Sequence, residues 1–187
     1  MPAPFTRRRL LQVGGLTGAA LAVGGALLMR GGGDEHYRSL APGAAPRVLS
    51  PKALGVLAAL CDRVCPRPDA THLGAAALRV AERVDRELLF HTPKLRGDVE
   101  AALLLVEHGG VLHGETTRFT RRPPEAQDAY LERMGVSGSS LERQAFNSLR
   151  FLVLFFHYVD ERTFAAIHYQ GPLVPRKAPD ADSRLEA

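Results

Sequence analysis

Cysteine is scarce in this sequence: Cys61 and Cys65 are the only two in 187 residues. An iron–sulfur cluster takes three or four thiolates, so Cys61-x-x-x-Cys65 is too little for one. No Cys-x-x-Cys-His haem attachment motif occurs. Phosphate-binding loops are missing as well, because the glycines gather in the N-terminal apolar run and at the ends of expected helices. There is no Gly-x-Ser-x-Gly nucleophile elbow. No two histidines flank a carboxylate at the helical spacing of the zinc hydrolases. Net charge is absent from most of the chain. The formal charge is +4, but Arg7, Arg8, Arg9 and Arg30 supply all of it, leaving 20 basic against 20 acidic residues from Gly31 onward. A nucleic-acid-binding domain carries a basic patch. Arg121-Arg122 and Arg176-Lys177 are isolated doublets that read as solvated surface, so nucleic acid is not an expected partner.

What is present begins at the N-terminus. Arg7, Arg8 and Arg9 precede Leu10–Met29, a run without a charged residue. A basic start, an apolar middle and a small-residue continuation make a secretory leader. Gly14, Gly15, Gly18, Gly24 and Gly25 dilute the run, and glycine lowers helix stability, so it makes a poor permanent membrane span. Thr6-Arg7-Arg8-Arg9-Leu10-Leu11-Gln12 resembles a twin-arginine (Tat) signal, whose pattern is Ser/Thr-Arg-Arg-x-Phe-Leu-Lys. Thr6, Arg7, Arg8 and Leu11 match; Leu10 replaces Phe and Gln12 replaces Lys. The resemblance implies recognition by the Tat translocon through Arg7, Arg8, Leu10 and Leu11, and export of a folded protein to the periplasm. An ordinary secretory leader and an uncleaved membrane anchor remain the alternatives. No sharp Ala-x-Ala site follows Met29.

Residues 31–49 read as a linker rich in glycine and proline. The folded part is expected over 50–170, as one all-α domain of about five helices. Ser50-Pro51 opens the first with an N-cap and a first-turn proline. Leu54, Leu57, Ala58, Cys61 and Val64 give it one apolar stripe, and Pro66 and Pro68 end it. A second helix is expected over Leu73–Phe90. Thr92-Pro93 opens a third, to about His108, followed by a loop over Gly109–Glu115. Pro123-Pro124 opens a fourth, with Gly135 as its left-handed cap. Ser139-Ser140-Leu141-Glu142 reads as a capping box for the fifth, to about Tyr158. Phe151–Phe156 makes that helix apolar on every side, which places it centrally or turns one face to another protein. Glu161–Tyr169 reads as one more short helix. Residues 171–187 read as an extended or disordered tail. No strand alternation of useful length and no internal repeat appear.

Cys61 and Cys65 lie four apart in one helix. An exported chain meets an oxidising compartment, but side-chain direction within a regular helix disfavours a bridge. Two buried thiols are the first reading; a disulfide between them and a bridge to a partner chain are the alternatives. Seven histidines leave open a self-standing periplasmic metal-binding protein or enzyme. His108 and His113 flank a glycine break, and His157 and His168 sit on different segments. A surface or hydrogen-bonded core histidine is the plainer reading of each.

Phe119-x-x-Arg122-x-x-x-x-Gln127 is similar to the Phe-x-x-Leu-x-x-x-x-Gln segment of the gluconate 2-dehydrogenase subunit 3 family. The Leu49-Ser50-Pro51 opening with Cys65-Pro66, and the late Tyr169-Gln170-Gly171-Pro172, resemble that family's first helix and closing segment. Arg122 departs from the family Leu. The resemblance spans Leu49 to Pro172. It implies a small periplasmic accessory subunit with no catalytic residue, cofactor or metal of its own. Its partner would be a large FAD-dependent dehydrogenase of sugars, sugar acids or alcohols, with a cytochrome c subunit in some complexes. The small subunit would support the folding and Tat export of the large one. Phe119, Phe151, Phe155, Tyr169 and Pro172 are the expected partner-facing residues.

Overall fold

The structure, a computed structural model, describes residues 35–65, 68–70 and 72–171. Six α-helices carry it: α1 (Glu35–Leu40), α2 (Pro51–Val64), α3 (Val80–Glu87), α4 (Pro93–His108), α5 (Pro124–Val136) and α6 (Ser140–Tyr158). Short 3₁₀ turns join them, and no strand occurs among the described residues. The domain is all-α, as the periodicity requires.

The helix starts follow local chemistry. The Ser50 hydroxyl accepts from the Ala53 N–H at 3.1 Å, and Pro51 sits in the first turn. Thr92 does the same for Leu95 ahead of Pro93. Each cap satisfies one N–H that the helix leaves without a carbonyl. Ser139 caps α6 by accepting from Glu142 N–H. The reciprocal half of a capping box does not form. The Glu142 carboxylate instead accepts from the Ser137 hydroxyl and meets His113 Nε2 at 2.7 Å.

The centre of the domain is α2, not α6. From Lys52 to Cys61 nearly every residue of α2 is buried, and α1, α3, α4, α5 and α6 all pack on it. The expected single stripe understates this burial. Ala53, Gly55, Ala58 and Ala59 are small enough for neighbours to close from several sides. On α6 burial follows one stripe: Glu142, Ala145, Phe146, Leu149, Val153 and His157 face inward. Thus α6 is a wall of the core with a second face outside.

Several elements differ from expectation. The helix anticipated over 73–90 is a turn over 75–79, then α3, then a 3₁₀ turn over Leu88–Phe90. Arg79 adopts a left-handed conformation, φ 52°, which interrupts the helix with no glycine to announce it. Gly135 lies inside α5, and the helix closes at Ser137. A Cβ at Gly135 would meet the Phe146 ring at 3.3 Å, so this glycine admits α6 rather than ending α5. Residues 109–113 form a 3₁₀ turn. Two further 3₁₀ turns, Glu161–Thr163 and Ala165–Ile167, replace the last short helix.

The largest correction concerns the supposed linker, since its described part, 35–49, belongs to the fold. Tyr37 on α1 is 2 % exposed and Leu49 is 3 % exposed. Two buried carboxylates hold this strap. Glu107, on α4, accepts from the Tyr37 hydroxyl at 2.7 Å and from both the N–H and hydroxyl of Thr120, at 3.1 and 2.8 Å. Asp85, on α3, accepts three consecutive backbone N–H groups, Arg47, Val48 and Leu49, at 2.5, 3.0 and 2.7 Å. The main chain of an irregular segment is thereby satisfied as it passes from the exposed Arg47 to the buried Leu49. Lys52 Nζ lies 5.5 Å above the Tyr37 ring and 3.2 Å from His108 Nε2. Burial, then Lys52, pushes the His108 pKa down, so the neutral ring receives the ammonium hydrogen bond. Burial and then Glu107 push the Tyr37 hydroxyl up to about 12, keeping it a donor. Where α1 crosses α2, a Cβ at Gly55 would lie 2.5 Å from the Tyr37 carbonyl oxygen.

Two substitutions test the strap. Tyr37→Phe removes one of the donors to buried Glu107 and should cost about 1–3 kcal/mol. Gly55→Ala forces the helices apart and should cost about 1–3 kcal/mol as an overpacking change. Urea unfolding of each variant provides the measurement. Wild-type midpoints would show that the strap contributes nothing.

Candidate functional site

The outer face of α6 is the candidate site, and it is a surface rather than a cleft. Phe151 is 72 % exposed and Phe155 is 51 % exposed, although Leu149 and Val153 on the same helix are buried in the core. Positions four apart stack on a helix surface. The two rings accordingly lie 6.3 Å apart and 26° from parallel. Phe155 also meets Phe156 edge-on at 5.3 Å, and Phe156 packs against the core. An aromatic ladder therefore runs from the surface inward. Its outer rings sit on a regular helix, with less freedom to lose on binding than loop side chains have. Arg150 is exposed beside Phe151, while Gln144, Asn147 and Ser148 make the earlier part of the same helix polar.

Both ends of α6 are clamped by carboxylates. At the start, Glu142 binds Ser137 and His113. At the end, Asp160 takes Arg83 Nη1 at 2.8 Å and a two-point contact from Arg162 at 2.9 and 2.8 Å. Arg83 also donates to the Phe156 carbonyl at 3.3 Å, satisfying one of the free acceptors of the last turn. The Arg162 hydrogen bond, with help from Arg83, holds the Asp160 carboxyl well below its usual range. The Glu142 carboxyl also lies below its usual range: burial pushes it up, and hydrogen bonds from Ser137 and His113 more than offset this.

The expected site residues separate into groups. Phe151 and Phe155 share the exposed face. Tyr169 is 45 % exposed and packs edge-on against Phe164. Phe119 is not available to a partner, being 0 % exposed with its ring 6.0 Å from that of Tyr130. Its carbonyl accepts from Gln127 Nε2 at 3.1 Å, so the spacing from Phe119 to Gln127 closes a turn of the core. Arg122 lays its guanidinium 4.5 Å over the Tyr130 ring and pairs with Glu115 at 2.5 Å. Arg133 takes the other Glu115 oxygen at 2.7 Å. Arg133 and then Arg122 hold the Glu115 carboxyl down at about 2. Arg7, Arg8, Leu10, Leu11 and Pro172 lie outside the described residues.

Cys61 and Cys65 are buried free thiols. Burial pushes both thiols up, that of Cys65 to about 12. Such thiols are poor nucleophiles at neutral pH. Among the described residues no three His, Cys, Asp or Glu side chains converge as a metal site. His157 is 1 % exposed, and its Nδ1 is buried without a hydrogen-bond partner. Burial pushes its pKa down, so the neutral ring serves as a core residue. Among the described residues no helix is long and apolar enough to cross a membrane.

No protein-family model, no curated protein and no solved structure matches this chain.

The clamps predict acid sensitivity. Carboxyls depressed in the fold regain ordinary values of about 4 on unfolding, so the unfolded chain binds more protons below that point. The stability they supply is complete above about pH 4.5 and drains as the pH falls toward 2. The thermal midpoint should fall through this window. Asp160→Asn should start lower at neutral pH and fall less on acidification. Parallel curves for the two proteins would remove Asp160 from the account.

Proposed function

We propose that this chain is the non-catalytic small subunit of an exported, membrane-associated flavin-dependent dehydrogenase acting on sugars, sugar acids or alcohols. The observation that carries the reading is the Phe151–Phe155 pair, held rigidly on a core helix and left uncovered. Exposed apolar patches on folded domains mark places where another protein sits, and aromatic residues dominate the binding energy of such contacts. The large subunit would hold the FAD and the chemistry, and a cytochrome c subunit would accept its electrons in complexes that contain one. The twin-arginine-like leader supports export through the Tat translocon, with the folded pair delivered together to the periplasm. The short motifs Leu49-Ser50-Pro51 with Cys65-Pro66, Phe119-x-x-Arg122-x-x-x-x-Gln127 and Tyr169-Gln170-Gly171-Pro172, which resemble segments of the gluconate 2-dehydrogenase subunit 3 family, point to the same partner.

Three measurements test this. A tagged full-length chain recovered from its native host should bring with it a larger protein carrying flavin. Phe155→Asp should lower recovery of that partner at least tenfold. The same change should shift the unfolding free energy of the isolated domain by only about 0.5 kcal/mol, as for other surface positions. By contrast, Leu149→Ala, on the inner face, should cost about 2–5 kcal/mol. Changing Arg7 and Arg8 to Lys together should leave both subunits in the cytoplasm. Recovery of the chain alone, or flavin bound stoichiometrically to the chain itself, would defeat the reading.

A further inference from the structure

A second set of apolar side chains is exposed at the C-terminal end of α4, apart from the phenylalanines of α6. Val111 and Leu112 stand on the 3₁₀ turn Gly109–His113, which follows α4 directly. Val136 ends α5, and Leu141 lies in the first turn of α6. The Glu142 carboxylate draws these elements together. It accepts from Ser137, beside Val136, and meets His113, beside Leu112, at 2.7 Å. An exposed apolar patch of this kind meets a membrane or another protein.

The place where the chain enters the domain decides between the two. His36 Nε2 lies 3.2 Å from the Thr120 hydroxyl, and Tyr37 donates to Glu107, one residue before the end of α4. The start of α1 is therefore at the same end of α4 as the patch. The uncharged run Leu10–Met29 ends six residues before Glu35. Six residues reach at most about 22 Å, and a run of about 20 residues matches the thickness of a bilayer core. While the leader is in a bilayer, this end of the domain is held near the bilayer surface. Charge in the adjoining segment agrees. Between Gly109 and Arg122 stand Arg118, Arg121 and Arg122 against one acid, Glu115. Glu115 is neutralised by Arg122 and Arg133, while Arg118 and Arg121 are exposed. Such side chains favour anionic lipid headgroups. The exposed acids Glu35 and Glu132 lie outside this segment, on α1 and α5. We propose that this end of the domain docks on an anionic bilayer, with Val111, Leu112 and Val136 in the interfacial layer and Arg118 and Arg121 toward the lipid phosphates. Phe155 lies about 20 Å further along α6 than Glu142, so the Phe151–Phe155 face stays open to a protein. The inference rests on the leader reading of Leu10–Met29 and not on the flavoprotein partner.

The chain has no tryptophan, so a single introduced one reports its own surroundings. The test uses the full chain with its leader, confirmed by intact mass. It is bound to vesicles of phosphatidylethanolamine and phosphatidylglycerol whose brominated acyl chains quench tryptophan on contact. Leu112→Trp reports the patch. Phe90→Trp reports a similarly exposed position just before the opposite end of α4, since Leu112 is 69 % and Phe90 78 % exposed. Leu112→Trp should lose more than half of its emission and shift to shorter wavelength, and Phe90→Trp should keep nearly all. Replacing phosphatidylglycerol by phosphatidylcholine should at least halve the loss. Equal quenching at the two positions, no quenching of vesicle-bound Leu112→Trp, or quenching indifferent to phosphatidylglycerol overturns the proposal. A blue shift before vesicles are added, reversed by dilution, assigns the turn to a second copy and overturns it as well. A chain that does not bind the vesicles removes this inference and leaves the flavoprotein reading standing. The expected quenching from a chain that recovers no flavoprotein does the reverse.

Discussion

The carboxylate of Glu107 is the contact on which the architecture turns. It is 1 % exposed and takes three hydrogen bonds, one from α1 and two from Thr120 in the 3₁₀ turn that leads to α5. Burying a carboxylate costs several kcal/mol unless its acceptor sites are filled. Chain segments far apart in sequence must therefore arrive together for Glu107 to be buried at all. Around it, Arg118 reaches the Tyr37 hydroxyl at 3.2 Å, and His36 meets the Thr120 hydroxyl at 3.2 Å. Removing a single member leaves the others desolvated and incompletely bonded, the situation in which polar networks are most sensitive to change. Asp85 repeats the arrangement on α3 with main-chain donors only. The domain is thus closed by two acids in addition to its apolar core.

This explains which parts of the fold were legible in the sequence. Caps and prolines are local signals, so α2, α4, α5 and α6 can be placed from Ser50-Pro51, Thr92-Pro93, Pro123-Pro124 and Ser139. The strap could not be placed that way. Its six-residue helix lies next to glycines and prolines that argue for a linker, and its burial depends on Glu107 and Asp85, which lie 70 and 36 residues away from their partners Tyr37 and Leu49. Only a lone aromatic, Tyr37, and the small residues of α2 hint at a close crossing. The break at Arg79 was equally hidden, because the left-handed conformation is held by surrounding structure rather than by residue type.

Of the candidate site, the apolar excess of Phe151–Phe156 was visible, and so was the requirement that something cover it. The division of labour within the run was not. Period alone assigns Val153 and Phe151 to opposite faces of α6. Which face meets the core depends on where α2 and α4 stand. Phe119 shows the reverse error, since a residue singled out by motif similarity for a partner is spent entirely inside the domain. Its spacing to Gln127 satisfies the Phe119 carbonyl, a demand any fold with this turn would impose. A motif of this kind reports on backbone bookkeeping before it reports on function.

The clamps at the two ends of α6 have a dynamic consequence. Helices ordinarily fray from their termini, and their outermost amides exchange with solvent first. Here the first turn is tied to Ser137 and His113, and the Phe156 carbonyl in the last turn is tied through Arg83 to α3. A bar fastened at both ends has no free end from which to unwind. Hydrogen exchange along α6 would then require the domain to open as a whole, and the slow-exchanging amides would run almost to Tyr158. The two outward phenylalanines would keep their spacing for as long as the protein stays folded.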